Sequence, residues 1–184
     1  MRNFFLLLFL FLFISCAEDF LPKPKAYLRL SYEKPTYKKL GLKRPYSFDI
    51  SDKTIVEDLP NNWLNIKYPA LKASIDITYR DVNHNLKNLL IESEKLVFKH
   101  TQKADQIGSK DFINTDKQTY GTIYDITGNA ASQIQFHLTD STRHFIKGAL
   151  YFYAKPNYDS ILPAVNYIKK DIQKLIESTV WKSE

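Results

Sequence analysis

Leu71, Lys72, Ala73, Ser74, Ile75, Asp76, Ile77, Thr78, Tyr79 and Arg80 follow one another as a strict alternation of apolar and polar side chains. Successive side chains of a β-strand point to opposite faces, so this stretch is a half-buried strand with Leu71, Ala73, Ile75, Ile77 and Tyr79 inward. The period then changes. Leu86, Leu89, Leu90, Leu96, Val97 and Ala104 fall at i, i+3, i+4, i+10, i+11 and i+18, the stripe of an amphipathic helix that Asn83 or Asn85 can cap, and Gly108 stops the segment beyond it. A strand handing over to a helix points to a mixed domain.

Outward from this junction the strand pattern recurs. Tyr46, Phe48 and Ile50 share one face, with Ser47, Asp49 and Ser51 on the other. Leu64, Ile66 and Tyr68 repeat it before a turn at Pro69-Ala70, which makes a hairpin with the 71–80 strand. Strands are expected again at 118–127, 132–139 and 143–154, separated by Gly128-Asn129 and by Asp140-Ser141-Thr142. Connections this short force antiparallel neighbours. The last element opens at Asp159 or Ser160 with Pro163 in its first turn, and Ile161, Val165, Ile168, Ile172, Leu175 and Ile176 line one face of a helix of about five turns. The fold class is α+β, a layered sandwich of a mainly antiparallel sheet with two main helices. Its arrangement resembles the Mog1/PsbP-like sandwich.

The chain has 184 residues, 44% hydrophobic and 25% charged. That suits one domain with a core and excludes both wholesale disorder and a polytopic membrane protein. One cysteine, Cys16, excludes an intramolecular disulfide framework, and with four histidines it excludes a structural zinc finger.

That cysteine ends a signal. Arg2 precedes an unbroken apolar run from Phe4 to Ile14, 11 residues long, where a span needs about 20. Basic start, short apolar core and small residue make a secretory leader. Phe13-Ile14-Ser15-Cys16 has the form of a lipobox, with Phe13 where Leu, Val or Ile is usual, so cleavage before Cys16 leaves a thioether-linked diacylglycerol and an acylated amine. Several acyl chains exceed what stable anchoring requires. The bilayer is therefore the first expected partner. Ala17 carries no aspartate of the inner-membrane retention kind, which favours the outer membrane; the periplasmic side is expected, while Glu18-Asp19 has the look of an acidic surface-export signal and leaves the leaflet open.

Between Pro22 and Pro45 eight basic residues stand against one acid, Glu33. The whole chain is formally +6, so the rest of the mature protein is net acidic, and the pI of about 9.2 describes one segment. Nucleic acid is excluded by compartment; anionic headgroups beside the anchor fit better. Pro22, Pro24, Pro35 and Pro45 keep the segment extended, with a first edge strand at Tyr27–Tyr32. The expected organisation is a signal peptide at 1–15, a lipidated Cys16 with a basic tether at 16–45, and one α+β domain at 46–184.

No Walker loop, HExxH, GxSxG or dinucleotide turn occurs, and the one thiol is consumed by lipid, so no catalytic residue and no cofactor is expected. The metal candidates are His137 and His144. A hairpin turning at Ser141-Thr142, with 139 facing 144, would place them diagonally on one face, with Asp140 and Asp125 close in sequence. The partner-binding candidates form a rim: Gly128, Asn129, Ala130, Ala131 and Ser132, a connection poor in side chains, with Tyr151, Tyr153, Asn157 and Tyr158 beside it. Small residues let a partner backbone approach, and tyrosines suit an interface.

The same stretches resemble the gliding motility lipoprotein GldD family of Bacteroidota. The likeness is carried by Cys16-Ala17-Glu18-Asp19, Pro22-Lys23-Pro24-Lys25, Tyr27-Leu28-Arg29-Leu30, Tyr68-Pro69, Gly128 to Ser132, Asp140-Ser141 and Gly148 to Ile161. It implies a non-catalytic envelope lipoprotein needed for gliding, a subunit or assembly factor partnered with other gliding or type IX secretion proteins. The alternative is an envelope enzyme or ligand carrier acting on glycans or metal, which would require a concave site.

Overall fold

A computed structural model describes residues 30–99, 102–154 and 157–182; the signal segment, Cys16 and the first part of the tether lie outside them. Eleven strands and two helices are described: β1 (Tyr37–Lys39), β2 (Tyr46–Ser47), β3 (Asp49–Ser51), β4 (Ile55–Asp58), β5 (Leu64–Tyr68), β6 (Ala73–Asp81), α1 (Leu86–Phe98), β7 (Ala104–Asn114), β8 (Thr119–Gly128), β9 (Ser132–Thr139), β10 (His144–Phe152), α2 (Tyr158–Ser178) and β11 (Val180–Trp181).

Seven strands form one sheet in the order β4-β5-β6-β10-β9-β8-β7, antiparallel throughout. Two meanders, β4 to β6 and β7 to β10, meet where β6 pairs with β10 over nine residues, from Ala73 opposite Phe152 to Asp81 opposite His144. The connection from β6 must therefore cross from mid-sheet to the far edge, and α1 is that crossing. Its buried residues, Leu89, Ser93 and Val97, face the sheet.

On the opposite face Leu64, Ile66, Ile75, Ile77, Ile134, Phe136, Leu138, Ile146 and Leu150 pack against Val165, Ile168, Ile172, Leu175 and Ile176 of α2. Tyr46, Phe48 and Ile50 join the same cluster. Packing is tight enough to dictate a glycine: Gly148 lies opposite Phe136 in the ladder, and a Cβ on it would fall 2.2 Å from the ring. Under α1 the cluster is small, formed by Val97, Tyr124, Ile126 and Ala130. The α+β layered architecture expected from periodicity is the one observed.

Several local expectations are corrected. The helix stripe does not continue to Ala104; α1 ends at Phe98, and Ala104 opens β7, an edge strand with only Ala104, Ile107, Gly108, Phe112 and Asn114 even partly buried. Edge strands expose both faces, so their alternation fades. Asn85 occupies the α1 cap position without a side-chain cap bond, because its Oδ1 accepts from Asn83 N–H instead, 2.9 Å away. The α2 cap is Asn157, not Asp159 or Ser160, and Pro163 sits in the second turn. The 46–50 strand is split into β2, paired with β11, and β3, paired with β1. β1 falls inside the stretch that composition assigned to the tether. Half of the edge strand expected at Tyr27–Tyr32 lies outside the described residues, and Leu30, Ser31 and Tyr32 are not in a strand.

Candidate functional site: a loop rim and a polar sheet face

The β8–β9 turn and the β10–α2 connection come together at one end of the sheet. The Tyr158 backbone N–H donates to Asn129 Oδ1 at 2.9 Å, which ties the two loops. Within the rim the residues divide by role. Gly128 is buried with φ +92°, and a Cβ there would meet Asp105 N at 2.7 Å, so only glycine turns the chain here. Ala130 is buried, and its carbonyl accepts from Gln133 Nε2 at 2.7 Å. Ser132 is buried too, donating to the Ile134 carbonyl at 3.1 Å. Asn157 caps α2 by accepting from Ser160 N–H. Exposed surface is left to Asn129, Ala131, Tyr153 and Asn157, with Tyr158 half-buried. Tyr153 stands out at 61% exposure. Tyr151 is half-buried and turns to the α1 side of the sheet; burial and then the nearby Asp76 carboxylate push its phenol up.

The histidines do not meet. Asp140 accepts from the backbone N–H of Thr142, Arg143 and His144 at 2.8–3.0 Å, and Ser141 takes φ +69°. Burial works to raise the Asp140 carboxyl, but these bonds, with one from Thr142 Oγ1, hold it below its usual value. The resulting turn pairs Thr139 with Phe145 and His137 with Lys147, one residue away from the expected register. A one-residue slip reverses the face of every side chain. His137 therefore faces α1 and stacks on Phe145 at 5.7 Å. His144 faces the other way, bonded to Tyr79 OH at 2.8 Å and stacked on Trp181. Asp125 pairs with Lys169 at 2.8 Å. Among the described residues no group of three or more His, Cys, Asp or Glu is placed to hold a metal ion.

What the sequence reading missed is the chemistry under α1. Gln133, Gln135 and His137 alternate with Ile134, Phe136 and Leu138 along β9, yet all six are buried. Gln133 Oε1, Gln135 Oε1 and His137 Nδ1 have no hydrogen-bond partner among the described residues. Burial lowers the His137 imidazole to about 4, so it is neutral at pH 7. Next along the same face, Asn65 Nδ2 and Ser74 Oγ both donate to Asp76 Oδ1 at 2.9 Å. The alternation of Gln, Gln and His was visible in the sequence, but nothing there showed that a helix covers it.

These features define an α+β sandwich domain whose distinctive surface is a two-loop rim. The family described as gliding motility lipoprotein GldD matches residues 17–181, and the chain belongs to that family. It is a lipoprotein of gliding motility, membrane-anchored in the cell envelope. No helix among the described residues is long and apolar enough to cross a membrane. No curated protein matches the chain.

Proposed function

We propose that the protein is a non-catalytic subunit or assembly factor of the gliding machinery, associated with type IX secretion and held by acylated Cys16 on the outer membrane, facing the periplasm. The observation that supports this most is the Asn129–Tyr158 bond. It fixes two loops, remote in sequence, into one surface, and Tyr153, at the end of β10 that leads into one of them, is exposed. A fixed rim carrying an exposed aromatic suits protein contact, because little ordering entropy is lost on binding.

Tyr153→Ala tests the reading. An interface tyrosine is worth about 2 kcal/mol of binding when central, so gliding and co-purification of envelope partners should fall while cellular level and melting temperature stay unchanged. A Tyr153→Ala strain that glides normally with its partners retained overturns the proposal.

A further inference from the structure

The rim leaves unused a cavity of about 190 Å3 between α1 and the sheet. Its apolar walls are Trp63, Leu89, Leu96 and Phe145, and two cations, Arg80 and Lys147, line it as well. We propose that this cavity binds a carboxylate carried on a compact apolar body.

Lys147 supports this first. It is half-buried, and its neighbours in the ladder are Thr78 on one side and His137 on the other, a hydroxyl and a neutral imidazole. Neither Lys147 nor Arg80 enters any ion pair among the described residues. An ammonium has three donors and no acceptor, so a half-desolvated one that is attracted by Glu92 without forming a salt bridge to it gains from an incoming anion. Burial pushes Lys147 down from the usual lysine value, with attraction from Glu92 partly offsetting it and Lys99 adding to it.

The remaining walls set the ligand's shape and charge. Glu92 is the one acid lining the cavity, so two cations face one carboxylate and a monoanion is preferred to a phosphate dianion. Phe145 is buried, its ring stacked on His137. Trp63 is oriented by its indole N–H, which donates to the Tyr79 carbonyl at 3.1 Å. A cavity this size is smaller than the roughly 300–1,000 Å3 of drug-sized sites. It takes one apolar group with its carboxylate, not a glycan chain. A free small acid and the C-terminal residue of a peptide present that same chemistry.

Full-length protein in detergent is titrated with phenylacetate, with acetyl-Gly-Gly-Phe, and with the neutral amide of each, following tryptophan fluorescence and calorimetric heat. Saturable binding of at least one acid is expected, at least tenfold tighter than its amide. Lys147→Gln should weaken it tenfold or more, and exposed Arg80→Gln by a few-fold. Phenylacetate binding alone marks a free acid as the ligand; tighter binding of the peptide marks a chain end. The proposal is overturned if neither acid binds, if amides bind as well, or if Lys147→Gln with unchanged melting temperature binds like wild type.

Discussion

Phe136 and His137 are consecutive residues of β9, both buried, and their surroundings differ in kind. Phe136 lies among Ile, Leu and Val side chains, with Gly148 leaving room for its ring. His137 lies under α1 between Thr122 and Lys147, its Nδ1 without a partner among the described residues. Burial is thus not one quantity. On the α2 face it removes apolar surface from water and stabilises the fold. On the α1 face it strands polar atoms, each at a cost of about 1–3 kcal/mol, which a fold retains readily where those groups serve binding.

The largest expected effect comes from that contrast. Phe136→Ala should destabilise by about 3–5 kcal/mol, since it removes a fully buried ring and opens a cavity. Gln135→Leu, one residue away on the other face, should fall within about 1 kcal/mol of wild type or be more stable, because it deletes a buried acceptor without a partner. Urea denaturation of the two variants measures the difference. Equal losses would show that both faces are packed for stability alike.

Acid sharpens the comparison further. Folding lowers the His137 imidazole to about 4, against an ordinary value near 6.5. Below 6.5 the unfolded chain takes up a proton that the native state refuses, so the stability this residue contributes is complete above that pH and is lost as pH falls towards 4. The loss reaches on the order of 3 kcal/mol once both states are protonated. His137→Gln should flatten the fall in stability between pH 6.5 and 4. An unchanged acid limb in that variant would place the sensitivity elsewhere.

The two faces also differed in how legible they were. Strict alternation in β6 and the stripe on α2 each report one apolar side packed on one partner, and both were readable from residue type alone. β9 was readable as a strand, but not that its polar set is buried, because alternation cannot show that a helix from elsewhere lies over it. The turn at Asp140 was placed correctly and registered wrongly. Its pairing is set by one carboxylate gathering three backbone N–H groups, which spacing does not encode. β7 was invisible because an edge strand has little to bury. The two stretches of the rim were legible as neighbours, but not the division between residues that build the turn and those that face outward.

One residue breaks the division of faces and gives the smallest prediction. Asp171 lies on the apolar side, buried on α2, yet it is satisfied: Tyr37 OH donates to it at 2.7 Å and Tyr68 OH at 3.0 Å. Tyr37 belongs to β1, in the basic stretch that composition assigned to the tether, and Glu33–Lys53 at 2.7 Å and Tyr32 against Tyr167 at 4.9 Å continue that attachment. Burial raises the Asp171 carboxyl above its usual value, while bonds from Tyr37, Tyr68 and Ser51 work to lower it. Its raised value means that its contribution favours folding most at low pH and declines as pH rises and the folded carboxyl ionises. Tyr37→Phe takes away a donor to the charged form, so it should destabilise by about 1 kcal/mol at pH 7 and by less at pH 3.5, where the folded carboxyl, its value raised, is more protonated. Thermal melts of wild type and Tyr37→Phe at pH 7 and pH 3.5 make the check. A Tyr37→Phe protein identical to wild type at pH 7 would show that β1 rests on the domain without holding it, leaving the tether free from Pro45 outward.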